Sequence, residues 1–186
     1  MTHYFLALRF NKKTHDRIHQ VSQYVKEIII EDSYKRWVDY VDYHLTLHFF
    51  GPLEDKEAVM NIMKRLAIPP LSLTFSHING FGQSGGYRVL YLEPKETDVL
   101  RNLYESIQEE LSLKGFPTAQ RPFRPHVTLA KKCQTPWNKE NVLSRINRTL
   151  MATSFPIDVR PISVALYKIE PNKIPTYRVV YDIPIR

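Results

Sequence analysis

The sequence predicts an α+β domain built by internal duplication, and three observations carry that prediction. The tetrad His-x-Thr-Leu occurs twice, in "DYHLTLHFFG" (42–51) and "RPHVTLAKKC" (124–133), in a chain of 186 residues with only seven histidines. Apolar residues recur at helical spacing in four places, separated by short runs rich in β-branched and aromatic residues. The helical stretches also obey the spacing of the tetrads: His44 and His126 are 82 residues apart, and that offset carries the first pair of helices onto the second.

Taken in order, Ile18, Val21, Val25 and Ile28 mark a helix over about 14–30, and Val59, Ile62, Met63 and Leu66 mark one over about 56–67. Shifted by 82 these become 96–112 and 138–149. Val99, Leu103, Ile107 and Leu111 recur in the first of these windows, and Val142, Leu143, Ile146 and Leu150 in the second. Gly115 is placed to stop the third helix. The intervening runs "YFLALRF", "HLTLHFF", "LSLTFSHI", "YRVLYLE", "HVTLA", "FPIDVRPISVALYKI" and "YRVVYDI" read as strands. "GYRVLYLEP" is echoed by "TYRVVYDIP" at an offset of 90, so the second half carries extra residues in its hairpin. The expectation is one domain, 1–186, of two related halves, about 1–93 and 94–186. Each half runs strand, helix, motif strand, helix, strand, strand. Two copies make a duplication rather than a solenoid, with two pseudo-symmetric lobes that bring the tetrads together at a central cleft.

Composition narrows the setting. A chain of this length buries a core without disulfides or metal, and its one cysteine, Cys133, cannot form an intramolecular disulfide. The opening "MTHYFLALRF" is too short an apolar run for a signal peptide, and no segment is long enough to span a membrane. A reducing, cytoplasmic setting is expected, in which the sequon at Asn147 has no meaning. The 26 basic residues exceed the 19 acidic ones, for a formal charge of +7, which suits a polyanionic partner such as nucleic acid and equally suits a solvated basic surface.

Strand alternation puts His44, Thr46 and His48 on one face and Leu45, Leu47 and Phe49 on the other; His126 and Thr128 share a face in the same way. A single tetrad is an ordinary core strand. Two at matched places offer two imidazoles and two hydroxyls that converge. One histidine can accept a proton while the other gives one, and hydroxyls can hold non-bridging phosphate oxygens. That arrangement suits phosphodiester chemistry without a metal, and neither a cysteine pair nor His-Glu-x-x-His suggests zinc. His48 has no counterpart, because Ala130 takes its place in the second copy, and is read as a neighbour. His3, His15, His19 and His77 are unpaired, with His15 and His19 read as exposed helix positions.

"HLTLHFFG" and "HVTLA" at this spacing resemble the two signature motifs of the two-histidine (2H) phosphoesterases, in particular the RNA 2′,3′-cyclic phosphodiesterases once named 2′-5′ RNA ligases; "YFLALRF" resembles that group's first strand. The resemblance implies a bilobal fold with antiparallel sheets lining the cleft and no cofactor. It implies His44 as proton donor and His126 as acceptor, with Thr46 and Thr128 on the phosphate. The residues alone do not separate the two histidine roles. Where the family often has arginine, five residues after the second histidine, this chain has Lys131; plain alternation turns it away from His126 unless the strand bends or bulges. Phe49 stands where the family has an aromatic near the base, although a core role is the plainer reading, and Arg121 and Arg124 lead into the second motif as candidates for the cleft mouth or for solvent. The implied partner is RNA ending in a 2′,3′-cyclic phosphate, acted on by a monomer with no membrane attachment. The expected reaction is hydrolysis to a 2′-phosphate. Ligation to a 2′-5′ linkage, cleavage of 2′-5′-linked oligoadenylate and a non-catalytic nucleotide-binding module are the alternatives.

Overall fold

The structure, a computed structural model, describes residues 2–29, 33–82, 86–95 and 97–186. Among the described residues, nine strands and four α-helices follow one another as β1 (His3–Arg9), α1 (Lys12–Ile29), β2 (Tyr34–Trp37), β3 (Leu45–Pro52), α2 (Lys56–Arg65), β4 (Leu73–Phe81), β5 (Val89–Pro94), α3 (Asp98–Leu113), β6 (Val127–Cys133), α4 (Lys139–Thr153), β7 (Ile157–Val159), β8 (Ser163–Ile169) and β9 (Tyr177–Pro184), with a 3-10 turn at Tyr40–Asp42. All four expected helices form. Positions 30 and 96, at the edges of two expected helices, lie outside the described residues.

Local chemistry sets the helix ends. Side chains of Asn11, Asp55, Thr97 and Asn138 accept from the backbone amides of Thr14, Ala58, Leu100 and Asn141 at 2.8–3.2 Å, satisfying donors that have no partner within their helices. Gly115, at φ +76°, ends the α3 segment as expected, and the Phe116 amide turns back to the Leu111 carbonyl. The buried stripe of α3 begins at Leu100 rather than the expected Val99, which is exposed.

The strands form one antiparallel sheet in the order β7-β4-β5-β6-β3-β1-β8-β9, with β2 also paired to β6. Its two halves meet at β3 and β6, which share a single ladder position, Leu45 opposite Val127. The motif strands are thus neighbours at a seam. The sheet does not keep each half of the sequence to itself: β5 pairs with β6 and β4 with β5, while β8 pairs with β1 and β9 with β8. In sheet position β5 matches β1, since each lies next to a motif strand, whereas β9 is an edge strand. The "YRVLYLE"/"YRVVYDI" echo is therefore not a match of position. The run "FPIDVRPISVALYKI" divides at Arg160–Ile162 into β7 and β8, which lie in opposite halves of the sheet, and β2 was not expected.

One face of the sheet carries the core. Leu6, Leu8, Leu45, Leu47, Val127 and Leu129 pack with Ile18, Val25, Ile62, Leu103, Ile107 and Ile146 of the helices, all buried. Asn147 is tied into this layer, its side chain accepting from the Ile78 amide and donating to the Ile78 carbonyl at 2.7 and 2.9 Å. On the other face Phe5, Ala7, Ala165 and Tyr167 form a second, smaller cluster, bordered by Tyr177.

Candidate active site

Both motif strands depart from plain alternation at the same place. Against β1, the register of β3 jumps between His48 and Thr46, leaving Leu47 as an extra residue; against β5, β6 jumps between Ala130 and Thr128, leaving Leu129. Each is a β-bulge, which bends a strand and re-aims the side chains beyond it. Leu47 and His48 are consecutively buried, as are Leu129 and Ala130, and the next residues, Phe49 and Lys131, emerge. The bulge supplies the bend that Lys131 needed to share a face with Thr128. It also corrects two readings. His48 does not share the face of His44 and Thr46 but is 6% exposed, with its ring 4.5 Å from Phe50. Phe49 is 57% exposed rather than part of the core.

The seam brings the four motif residues together. With Leu45 opposite Val127 in an antiparallel pair, His44 is directed towards Thr128 and Thr46 towards His126, all four on the face opposite those two apolar residues. Both threonines and both histidines are partly buried. Nδ1 of each histidine lies 2.7 Å from the carbonyl oxygen two residues earlier, Asp42 for His44 and Arg124 for His126. A carbonyl only accepts, so each Nδ1 carries the proton and each neutral ring has its lone pair at Nε2.

Aromatic rings wall each imidazole. His44 lies 4.8 Å from Phe5 and 4.9 Å from the edge-on ring of Tyr177, with Tyr167 at 5.9 Å; His126 lies 5.1 Å from Phe81 and 5.2 Å from Tyr91. Burial by such walls disfavours the charged imidazolium. His44 is pushed down to about 4 by burial, with smaller contributions from the Lys131 ammonium and His126, against the opposing pull of the Asp42 carbonyl. His126 is lowered too, by burial and then Lys131. Lys131, lowered by burial and by Arg36, therefore acts on both histidines.

The first histidine has a further support in Asp42. Asp42 is 3% exposed, and its carboxylate accepts from the backbone amides of Thr176 at 3.0 Å and Tyr177 at 3.3 Å. One residue thus offers its carbonyl to His44 and pins the chain entering β9, which carries the Tyr177 ring. The matching residue before His126 is Arg124. From the other side, His15 Nδ1 donates to the Tyr40 carbonyl at 2.7 Å and the His19 ring packs edge-on against Tyr40. His15 and His19 are thus partly buried supports of the 40–42 turn, not the exposed positions expected. Asp42 was not singled out in the sequence, although an acid two residues before the motif was its visible signal.

Beside the seam a cleft of about 920 Å³ opens, lined among others by Thr46, Phe49, Phe81, Arg88, Tyr104, Phe123 and His126. Arg121 and Arg124 also line it, as one reading of the sequence expected. Its volume lies in the usual range for small-molecule sites. Among the described residues, no three His, Cys, Asp or Glu side chains are grouped to hold a metal ion, and no helix is long and apolar enough to cross a membrane.

A duplicated α+β sheet with a His-x-Thr strand from each half at its seam is the architecture of a 2H phosphoesterase. The family model described as the 2′-5′ RNA ligase superfamily matches residues 14–172, and the chain belongs to that family. It is 29% identical to the RNA 2′,3′-cyclic phosphodiesterase of Bacillus subtilis, over 98% of this chain and 96% of that protein. Its identity to the protein of the same name from Geobacillus stearothermophilus is 28%, over 99% of this chain and 57% of that one. The crystal structure of Escherichia coli LigT complexed with 3′-AMP superposes with a TM-score of 0.74 at 18% identity, covering 99% of this chain and 98% of LigT, and shares the fold.

Proposed function

We propose that this protein hydrolyses RNA or nucleoside 2′,3′-cyclic phosphates to 2′-phosphomonoesters by metal-independent acid–base catalysis from His44 and His126, as a cytoplasmic monomer. The observation that carries the reading is the pair of matched Nδ1–carbonyl contacts, which leave two Nε2 atoms available at a seam that also presents Thr46 and Thr128. The names of the full-length relatives supply the substrate class. Both motifs come from one chain, so no second subunit is needed to complete the site.

In this mechanism the cyclic phosphate sits between the histidines, its non-bridging oxygens receiving hydrogen bonds from the two threonines. Neutral His126 takes a proton from water through Nε2 as the water oxygen attacks phosphorus in line. The bond from phosphorus to O3′ breaks, and His44, as imidazolium, gives its Nε2 proton to O3′. The product keeps the phosphate on O2′, and solvent exchange returns both histidines to their starting forms. With a value of about 4 in the free protein, His44 is neutral at pH 7. The bound phosphate anion must load the donor, because a nearby negative charge favours the imidazolium.

The test is incubation of purified protein with RNA ending in a 2′,3′-cyclic phosphate, with and without EDTA. The expected result is a 2′-phosphate end at equal rates in both. No turnover, a 3′-phosphate product or dependence on an added metal would overturn the reading.

A further inference from the structure

Strand β2 lies along β6 with Arg36 directly opposite Lys131. Residues directly opposed in an antiparallel pair project to the same face, and the bulge at Leu129 has brought Lys131 onto the face of Thr128. Arg36 and Lys131 therefore stand side by side next to the phosphate seat. Arg36 is exposed, and its orientation is set from the other half of the sheet: Nη2 donates to Thr176 Oγ1 at 2.8 Å, on the turn whose amides hold Asp42. That contact takes one of the guanidinium's five N–H donors.

Two like charges held together at a partly buried site repel, and that repulsion, after burial, helps to lower the Lys131 amine. The acid that acts on this lysine is Asp42, whose carboxylate is already engaged by the amides of Thr176 and Tyr177. An anion between the two cations relieves the repulsion. Lysine offers a point charge, whereas a guanidinium offers a planar two-point contact suited to phosphate oxygens.

We infer that Arg36 and Lys131 form a two-cation clamp on the phosphate held between His44 and His126, with Arg36 supplying from a neighbouring strand the guanidinium that β6 lacks at position 131. The clamp rests on the phosphodiesterase reading of the site, and it takes the cyclic diester anion and its monoester product alike.

The experiment compares the parent with Arg36→Ala, Lys131→Arg and the double variant. It measures binding of inorganic phosphate by calorimetry, and kcat/KM on a 2′,3′-cyclic mononucleotide and on an oligonucleotide with the same end. Arg36→Ala is expected to weaken phosphate binding and to lower kcat/KM about 10- to 100-fold on both substrates, the scale of a lost charge-assisted contact. Adding Lys131→Arg should recover most of the loss, which a merely structural Arg36 would not allow. Values within twofold of the parent overturn the clamp, as does a loss confined to the oligonucleotide, which would put Arg36 on a neighbouring phosphodiester. If the parent turns over neither substrate yet Arg36→Ala loses phosphate binding, the clamp stands and the assigned reaction falls.

Discussion

Nδ1 of His44 donates to the main-chain carbonyl of Asp42 at 2.7 Å, two residues before it on the same chain. The histidine is thereby held by its own strand entrance, with Nε2 as its second functional nitrogen, and His126 repeats the arrangement with Arg124. Replacing either ring by asparagine retains an N–H near the place of Nδ1 and removes Nε2. His44→Asn and His126→Asn should each lower turnover of a cyclic nucleotide by roughly 10²- to 10⁴-fold with thermal midpoints close to the parent. Near-parental turnover in either variant would remove that histidine from the chemistry.

Asp42 tests whether position as well as identity matters. Asp42→Ala leaves the buried amides of Thr176 and Tyr177 without their acceptor, costing about 1–3 kcal/mol of stability by the usual penalty for an unsatisfied buried donor. It also frees the segment that carries Tyr177, so kcat should fall about tenfold or more while KM changes less, a split expected when geometry rather than binding is lost. Asp42→Asn, which keeps one acceptor oxygen, should recover part of both losses. If steady-state kinetics of Asp42→Ala match the parent, the cradle is structural only.

Much of this was legible in the sequence, and the reason is periodicity. The helices repeat at the tetrad offset because each half builds the same layer, and an amphipathic helix shows its spacing whatever it packs against. His44, Thr46, His126 and Thr128 stood out because the tetrad that holds them is repeated along with the scaffold. The bulges did not show, because an extra residue in a ladder is a property of the pairing and not of the strand. Leu47–His48 and Leu129–Ala130 read as alternating positions, and each proves to be a consecutively buried pair. Strand β2 and the Asp42 cradle were hidden for a related reason: both are defined by partners more than 90 residues away.

Acid should destabilise the protein through the same histidine. His44 binds its proton near its ordinary value of 6.5 when unfolded but only near 4 when folded, so between those values the unfolded chain holds more protons. Stability from this site is complete above about pH 6.5 and declines as the pH falls towards 4, by as much as roughly 3 kcal/mol. His126, also lowered, acts in the same direction. Urea midpoints measured at pH 7, 5.5 and 4.5 should fall in that order, and His44→Gln should flatten the trend. Inorganic phosphate at pH 5 should restore part of the stability by favouring the imidazolium. A slope unaltered in His44→Gln would assign the acid sensitivity elsewhere.

Phe49 and Lys131 occupy the same place after matching bulges, 82 residues apart, yet one is an exposed aromatic and the other a partly buried cation. Under the proposed function the two sides would serve different parts of a nucleotide, the cationic side the phosphate and the Phe49 side, which lines the cleft with Phe81 and Phe123, the base. A base stacked on an aromatic ring gains about 1–3 kcal/mol, with little dependence on which base it is. Since Phe49 is more than half exposed, Phe49→Ala should leave the unfolding midpoint nearly unchanged while raising KM for cyclic nucleotides about 5- to 100-fold; Phe49→Trp should hold or lower it. Ribose 2′,3′-cyclic phosphate without a base is the discriminating substrate. Its kcat/KM should be the same for the parent and for Phe49→Ala, because it has nothing to stack, and an equal loss on both substrates would make Phe49 a support of the motif strand rather than a platform for the base.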